Sequence, residues 1–188
     1  MQLTVRLAEP GDLEAIRSIY NHEVTGSTVT FDIVPRTAAD QREWLSRHQG
    51  AYPVVVATGA EEPAVTPVPG DTPVPGDTPA AHGPREVAAF GSLSPYRDRP
   101  AYSTTVEDSV YVHSAWRGQG VGRMVLDELL RLARAYGYHT VIARAVGDNT
   151  ASIRLHQSCG FEVVGLERQV GRKFGHWLDV TVMQRMLS

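Results

Sequence analysis

The sequence predicts an α+β protein in which helices flank a mixed, mostly antiparallel twisted sheet in three layers. Seven short segments have the β-branched or alternating apolar pattern of strands, and four segments have apolar residues at helical spacing. Because the strand segments come both before and after the helices without strictly alternating with them, a mixed sheet is favoured over a purely parallel one. The length of 188 residues suits a single domain with room for a core and a substrate cleft.

The first part of the chain contains two predicted strands and two predicted helices. A strand is expected at 3–8 and a helix at 12–23, which begins after a proline–glycine turn pair. The buried stripe of this helix is formed by Leu13, Ile16, Ile19 and Tyr20. A loop containing Phe31 leads to a second helix at 38–48, and a β-branched strand follows at 52–58.

A change of composition marks the residues from about 59 to 85, which are rich in Pro, Gly, Asp and Thr. The hexapeptide Pro-Val-Pro-Gly-Asp-Thr occurs twice in tandem, at 67–72 and 73–78. Such a segment cannot bury an apolar face, and long surface insertions cost little free energy. We therefore expect a flexible loop inserted between two strands, with a proline-recognition ligand as the alternative.

The second part of the chain returns to regular patterns. Strands are expected at 86–93, 104–113, 140–146, 162–170 and 177–186, and helices at 121–136 and from Asn149. Gly137 stands where the longer helix should end, as glycine commonly does at helix C termini.

The glycine-rich turn at 117–122 is the strongest functional signal in the sequence. It joins a β-branched strand to an amphipathic helix, and Gly118, Gly120 and Gly122 allow unusual dihedral angles and a close approach of backbone N–H groups to an anion. The start of the helix favours a bound pyrophosphate, and Arg117 and Arg123 add full positive charge. The spacing fits neither the dinucleotide-binding turn nor the mononucleotide-binding loop. The alternative is a tight strand-to-helix turn without a ligand.

Composition and charge argue against several classes of protein. The net charge of −3 argues against nucleic acid as the main partner, and no apolar run approaches the length of a membrane span. The first residues lack the pattern of a signal peptide, so a cytoplasmic protein is expected. Without a His-Glu-x-x-His pair or a Cys/His cluster, no metal is expected. The single cysteine, Cys159, is expected to be a packed thiol rather than a covalent nucleophile.

The pattern Arg-x-x-Gly-x-Gly resembles the pyrophosphate loop of the GNAT superfamily of acyl-CoA-dependent N-acetyltransferases. Three further groups of residues occur in the order expected for one branch of that superfamily. They are Thr105-Val106-Glu107 before Val110-Tyr111-Val112, Asn149-x-x-Ser152-x-x-Leu155-His156 before Gly160-Phe161, and Val170-Gly171-x-Lys173-Phe174-Gly175-x-Trp177-x-Asp179-Val180. Together they resemble the phosphinothricin or methionine sulfoximine acetyltransferase family. The resemblance covers almost the whole chain outside the proline-rich insertion, and it implies a GNAT-like fold, acetyl-CoA as co-substrate and a homodimer.

The resemblance also implies that acetyl-CoA binds along one strand, the glycine-rich turn and the start of the last helix. The residues expected to contact it are Val110, Tyr111, Val112, Arg117, Gly118, Gln119, Gly120, Val121, Gly122, Arg123, Asn149 and Ser152. Helix capping is the alternative role for Asn149 and Ser152, because Asn149 stands where an N-cap would be.

Glu107 is the candidate general base, because a carboxylate on a strand that faces an apolar cleft can have a raised pKa. A structural salt bridge is the alternative. Asp108 points to the opposite face of the strand and is less favoured. His156 is the candidate acid that protonates the departing CoA thiolate, since it matches a position where many superfamily members have a tyrosine. Helix packing is the alternative for His156, and His113 is a weaker candidate for the acid.

The acceptor is expected to be a small amine held by polar and cationic groups near Glu107. The resemblance implies substrate contacts from Phe31, Arg97, Arg99, Tyr102, Lys173 and Trp177, with the last two as candidates for contribution by a neighbouring subunit. Relatives often have an aromatic residue where Arg99 stands, which changes the size and charge of the pocket. The predicted reaction is direct acetyl transfer to the amino group of phosphinothricin, methionine sulfoximine or methionine sulfone. The alternatives are another amine, such as an antibiotic or a peptide N terminus, and a CoA-binding sensor without turnover.

Overall fold

The computed structural model describes residues 3–59, 86–147 and 149–187, which form a seven-stranded sheet with helices on both faces. The strands are β1 (Leu3–Leu7), β2 (Val54–Gly59), β3 (Val87–Pro95), β4 (Thr105–Val112), β5 (Thr140–Val146), β6 (Glu162–Lys173) and β7 (His176–Met186). The helices are α1 (Leu13–Gly26), α2 (Ala38–Arg47), α3 (Val121–Ala135) and α4 (Thr150–Ser158).

The strands lie in the order β1-β2-β3-β4-β5-β7-β6. Within the described ranges, β4 and β5 are parallel and every other neighbouring pair is antiparallel. The predicted mixed, mostly antiparallel sheet between layers of helices is therefore confirmed.

Two apolar cores lie on the two faces of the sheet. Helix α3 buries a stripe that includes Val125 and Leu129 on one face, where α4 also packs. Helix α1 buries Ile16 on the other face, where α2 adds Trp44 and Leu45. The interior strand β2 is buried on both sides, which explains the apolar run from Val54 to Ala57. None of the helices in the described part of the chain is long and apolar enough to cross a membrane.

The predicted elements are present, and their bounds differ most at the ends of α1, which continues to Gly26 beyond the predicted residue 23, and of β6. Strand β5 has the predicted bounds, whereas β6 continues to Lys173, beyond the predicted end at residue 170. Register shifts between Val163 and Gly165 and between Glu167 and Gly171 interrupt the alternation of β6, so its periodicity was a poor guide to its length. The proline-rich loop predicted at about 59–85 lies outside the described residues from position 60 onward.

Gly91 lies where α3 crosses the centre of the sheet. A Cβ atom at this position would lie 2.6 Å from Val125 Cγ1, 2.8 Å from Leu129 Cδ1 and 2.9 Å from the carbonyl oxygen of Ser109. The absence of a side chain therefore lets α3 pack directly on β3 and β4. This contact fixes the helix that follows the glycine-rich turn against the strand that carries Glu107.

We expect Gly91→Ala to lower the free energy of unfolding by about 1–3 kcal/mol, because overpacking a filled core forces neighbouring groups to move. The matched control is Gly11→Ala, since a Cβ at Gly11 meets no atom within 4 Å. Urea unfolding of both variants measures the difference. Equal stability of the two variants would contradict the close packing at Gly91.

Candidate active site

Strands β4 and β5 pair over three residues and then separate. The last pair in their ladder is Glu107 with Ile142. Beyond it, β4 stays paired with β3 as far as Val112, and β5 stays paired with β7 as far as Val146. The sheet therefore opens between residues 108–112 and 143–146, an opening that we call the fork. The edge of β4 that faces the fork offers backbone N–H and C=O groups to a ligand.

The glycine-rich turn needs its glycines for two different reasons. Gly118 and Gly120 have φ values of +74° and +80°, in the left-handed region that favours glycine. The sequence analysis also expected unusual dihedral angles at Gly122, and this was wrong. Gly122 lies within α3 and has no positive φ. A Cβ at Gly122 would instead lie 3.3 Å from both Leu155 Cδ2 and Val112 Cγ2. Gly122 thus allows the start of α3 to pack beside both α4 and the end of β4, at the mouth of the fork.

The charged residues of the turn are paired with other parts of the chain. Arg117 forms an ion pair with the buried carboxylate of Glu23 on α1, and its Nε donates to the carbonyl of Val112 at 3.3 Å. Arg123 lies 3.4 Å from Asp127 on the next turn of α3. In the first turn of α3, the N–H groups of Arg123 and Met124 both donate to the carbonyl of Gly120, at 3.1 and 3.2 Å. The N–H groups of Val121 and Gly122 come before these first helical bonds, so the backbone there offers the more direct anion site.

Asn149 has the capping geometry that the sequence left as an alternative. Its Oδ1 accepts a hydrogen bond from the backbone N–H of Ser152 at 3.1 Å and so begins α4. The hydroxyl of Ser152 lies 3.3 Å from Nδ1 of His156. Both residues therefore stabilise α4, which lies on the face of the sheet opposite the Glu107 side chain.

The side chain of Glu107 lies on the face of β4 that is covered by α1 and α2, together with those of Ser109 and Tyr111. Burial raises the pKa of its carboxyl group, the Arg144 guanidinium opposes this rise, and the carboxylates of Asp108 and Glu167 add to it. A raised pKa is what a general base working near neutral pH requires.

Arg144 does not hold Glu107 in a strong ion pair, because Glu167 occupies its guanidinium. Two nitrogens of Arg144 donate to the two carboxylate oxygens of Glu167 at 3.2 and 2.5 Å. This bidentate arrangement is the geometry in which arginine binds a carboxylate most strongly. The pKa of Glu107 can thus stay raised even though a cation lies nearby.

A polar patch adjoins Glu107 on the neighbouring strand. Ser94 lies directly opposite Glu107 in the β3–β4 ladder, and its hydroxyl is 3.0 Å from Nε2 of His48. The other ring nitrogen of His48 lies 2.8 Å from the carbonyl of Trp44, which can only accept. Burial lowers the pKa of His48, so the neutral ring accepts from Ser94. Glu107 therefore faces hydroxyl groups instead of a second cation on this side.

His156 is bound to Asp108, a partner that sequence reasoning did not assign to it. Nε2 of His156 lies 3.0 Å from Oδ2 of Asp108, and the side chains are only 7% and 1% exposed. Nδ1 of His156 lies 2.7 Å from the carbonyl oxygen of Ser152. Since α4 provides the histidine and β4 provides the aspartate, this contact joins the two sides of the fork.

The contacts of His156 define its charge. A carbonyl can only accept, so Nδ1 carries a proton, and Nε2 faces a carboxylate. Burial of the ring opposes the charged form, but the Asp108 carboxylate and the Ser152 carbonyl outweigh burial and raise the pKa of His156. The other oxygen of Asp108, Oδ1, is buried and has no hydrogen-bond partner among residues 3–59, 86–147 and 149–187. The geometry thus favours an imidazolium ion held by a carboxylate.

Two of the predicted substrate residues meet between the α1–α2 loop and β6. The ring of Phe31 covers Gly171 so closely that a Cβ there would lie 2.5 Å from Phe31 Cε2. The ammonium group of Lys173 is buried, and it donates to the carbonyls of Thr30 at 2.8 Å and Glu23 at 3.4 Å. Burial lowers the pKa of Lys173. Its contacts within its own chain support the loop that carries Phe31.

The remaining predicted substrate residues lie on exposed segments. The guanidinium carbon of Arg97 lies 4.9 Å from the ring centre of Tyr96 and 5.6 Å from that of Tyr102, so these three residues form one cluster. Arg99 is exposed in the same loop. Trp177 is 60% exposed at the start of β7, next to the edge strand β6 and away from this cluster in the fold.

The structure places two further charged residues beside the predicted site, Asp108 and Arg144, and a third, Arg36, lines a cavity together with Ser94. Strand alternation correctly placed Asp108 opposite Glu107, but the sequence did not show that α4 would bring His156 to that face. Alternation also places Arg144 on the face of Ile142, which pairs with Glu107, and this signal could have identified it. No pattern in the loop after Phe31 marks Arg36.

Metal-based and cysteine-based chemistry have no support in the described part of the chain. No group of three His, Cys, Asp or Glu side chains there could hold a metal ion. Cys159 is buried, and burial raises the pKa of its thiol, which disfavours the nucleophilic thiolate.

Comparisons with known proteins agree with this geometry. A profile of the acetyltransferase (GNAT) family matches residues 73–161. Phosphinothricin N-acetyltransferase of Streptomyces coelicolor is 35% identical over 99% of this chain and 97% of its own length. L-methionine sulfoximine/L-methionine sulfone acetyltransferase of Pseudomonas paraeruginosa is 35% identical over 100% of this chain and 96% of its own length. The crystal structure of a phosphinothricin acetyltransferase from Sinorhizobium meliloti in complex with acetyl-CoA has a TM-score of 0.83 and 33% identity, covering 100% of this chain and 90% of that one.

The ion pair of His156 leads to a prediction about pH. Asp108→Asn should lower the pKa of His156, because the neighbouring opposite charge is lost. A raised pKa in the folded state stabilises the protein below the unfolded pKa of about 6.5, and this stability is lost as pH rises through the folded pKa. The variant should therefore lose most stability in acid. NMR titration of the histidine side chains measures the pKa directly.

The control for this titration is Asp98→Asn, which removes a carboxylate from an exposed loop. It should leave the pKa of His156 unchanged. An unchanged pKa of His156 in Asp108→Asn would contradict the charged pair.

Proposed function

The chain belongs to the acetyltransferase (GNAT) family and is an N-acetyltransferase that uses acetyl-CoA, and from this premise we propose that its acceptor is the amino group of a small amino acid of the phosphinothricin or methionine sulfoximine type. The names of its full-length relatives support this class of acceptor. The observation that carries the chemical part of the proposal, base-assisted acetylation of an amine, is the position of Glu107, a carboxylate with a raised pKa at the apex of the fork.

Glu107 acts as the general base. An amine must lose a proton to become acylated, and a carboxylate whose pKa is raised by burial accepts it more readily than an ordinary carboxylate does. The hydroxyl of Ser94 faces the same space and can orient the amine or an intervening water. The acceptor therefore approaches from the α1–α2 side of the sheet.

His156 acts as the general acid from the other side. Adjacent residues of a strand point to opposite faces, so Glu107 and the Asp108–His156 pair flank the same point of β4 from the two faces. A reactive group within the fork can be reached from both. Asp108 keeps the ring of His156 charged, and Nδ1 also lies 3.3 Å from the hydroxyl of Ser152. This hydroxyl can relay a proton from the ring to a departing thiolate.

The two ends of acetyl-CoA fit different parts of the fork. Acetyl-CoA supplies the acetyl group as a thioester. The free edge of β4 at Val110, Tyr111 and Val112 offers backbone groups to its amide-containing arm. The first turn of α3 and the residues from Arg117 to Arg123 offer N–H groups and charge to its pyrophosphate. Asn149 and Ser152 place α4 beside this path.

We also propose a homodimer that forms through the edge strand β6. This strand exposes the apolar side chains of Val163, Val164, Leu166 and Val170, and the adjoining turn and strand expose Phe174 and Trp177. An exposed edge with apolar side chains is a site for pairing with another chain.

We propose further that the enzyme works in the cytoplasm. Two observations support this: the enzyme uses acetyl-CoA, a cytoplasmic metabolite, and its cysteine, Cys159, is a free thiol, which is compatible with a reducing compartment.

Glu107→Gln should lower kcat about 10²–10⁴-fold, the usual contribution of a general base. Binding of acetyl-CoA, measured by calorimetry, should not change. In the wild type, kcat/KM should rise with pH through the raised pKa of Glu107, and this limb should be absent from the variant. Release of CoA thiol is measured with phosphinothricin, methionine sulfoximine and methionine sulfone as acceptors.

The matched control for the base is Glu14→Gln, which changes an exposed carboxylate on α1. It should retain wild-type turnover. Retention of wild-type turnover by Glu107→Gln would exclude Glu107 as the base.

Leu166→Glu should shift the protein from dimer to monomer, because it places a charge within the apolar part of β6. Light scattering after size-exclusion chromatography should give a mass near twice 20.6 kDa for the wild type and near 20.6 kDa for the variant. Leu7→Glu is the control, since Leu7 is equally exposed on the opposite edge strand, β1. A monomeric wild type, or a dimer that only Leu7→Glu disrupts, would contradict this interface.

A further inference from the structure

A cavity of about 160 Å³ lies between the α1–α2 layer and the strands β3 and β4. Aromatic rings form much of its wall, while its polar lining consists of one arginine and three serines. The residues that carry the argument are Tyr20, Trp44, Arg36, Ser92, Ser94 and Ser109. The cavity thus combines a single guanidinium group with a row of hydroxyl donors.

The register of the sheet places this cavity beside the candidate base. Ser94 lies directly opposite Glu107, and Ser92 lies directly opposite Ser109. Side chains opposite each other in an antiparallel pair have Cβ atoms about 4.5–5.5 Å apart. An acceptor whose amine reaches Glu107 would therefore extend along these serines towards the arginine.

Arg36 is held in the cavity by its backbone and by two aromatic rings. Its backbone N–H donates to Oδ1 of Asn21 at 2.8 Å, and its carbonyl accepts from Nδ2 of the same residue at 2.9 Å. Its guanidinium carbon lies 3.7 Å from the ring centre of Tyr20 and 5.0 Å from that of Trp44. A guanidinium held by stacking is in position before a ligand binds.

The charge of Arg36 is only weakly compensated. Its nearest carboxylate oxygen, Oδ2 of Asp32, is 3.9 Å away, the longest ion pair recorded in the described ranges. That oxygen already accepts from the Tyr20 hydroxyl at 2.6 Å. One nitrogen of Arg36 is 3.4 Å from Oε1 of Gln41. By contrast, Arg144 is bound bidentately at distances down to 2.5 Å. Arg36 therefore retains donors for a carboxylate.

We propose that Arg36 binds the carboxylate of the acceptor and thereby restricts the enzyme to amines that carry a carboxylate close to the amino group, which are amino acids. This inference rests on the proposed function, because it takes Glu107 as the point that the amine must reach. Arg36 is partly buried, with 17% of its side chain exposed, whereas Arg97 and Arg99 lie on an exposed loop. A charge-assisted hydrogen bond is stronger at the less hydrated site.

Arg36→Met tests this proposal because it removes the donors and keeps an unbranched side chain. We compare kcat/KM for methionine sulfone and for its methyl ester, which keeps the amine and loses the carboxylate. The variant should lower kcat/KM for the acid about 10–100-fold, mainly through KM, which is the usual effect of losing hydrogen bonds to a charged group. The value of kcat/KM for the ester should fall far less, so the ratio of kcat/KM for the acid to that for the ester should fall by nearly the same factor as the acid's own value. Arg36→Lys should be intermediate.

The comparison of acid with ester separates binding from folding, since a disturbed fold would affect both acceptors. Equal losses for acid and ester would make Arg36 a structural residue and overturn the proposal. An unchanged preference in Arg36→Met, or a preference lost instead in Arg97→Met or Arg99→Met, would also overturn it. Absence of turnover by the wild type on every amino acid, with turnover of another amine, would overturn the proposed function and this inference together.

Binding without turnover gives a second measurement. In a Glu107→Gln background, calorimetric titration with methionine sulfone should show weaker binding after Arg36→Met by a similar factor of about 10–100. Affinity for acetyl-CoA, measured on the same samples, should not change. Equal affinity for the amino acid with and without Arg36 would overturn the proposal even if Glu107 is the base.

Discussion

The short parallel pairing of β4 with β5 is the constraint on which the rest of the site depends. Each strand leaves the ladder while still bonded to its other neighbour, so the sheet opens without losing its connection to either half. Glu107 is the last residue of β4 that pairs with β5, and Asp108 is the first that pairs with β3 alone. The start of α3 then packs beside α4 and the end of β4 at the opening, because a glycine at position 122 leaves room for Leu155 and Val112.

Two neighbouring carboxylates consequently have different surroundings. Glu107 faces hydroxyl groups and an arginine that is already bound to Glu167. Asp108 faces an imidazole ring in the core on the opposite side. Strand alternation alone separates these two environments by a single residue. A sheet can thus hold the proposed proton acceptor and the proposed proton donor at one point of the backbone, each on its own face.

The sequence predicted the elements and the backbone of the glycine-rich turn at Gly118 and Gly120 well, because both depend on local patterns. Strand alternation and helical spacing reflect burial along a single segment, and the positive φ values at Gly118 and Gly120 are requirements of the local backbone. The pairing of Asp108 with His156 spans 48 residues and depends on how α4 packs. Arg36 was missed for the same reason, since rings from two helices position it. The bulges of β6 hid its length, because they break the alternation on which a strand is recognised.

The bond from Lys173 to Thr30 links residues that are 143 positions apart. A ribosome releases α1 and its following loop long before it releases β6, and loops closed over such distances form late. The ring of Phe31 can pack on Gly171 only after β6 has been synthesised. The contacts of Lys173 with Thr30 and of Gly171 with Phe31 therefore form only at the end of synthesis, after the whole glycine-rich turn is already part of the nascent chain.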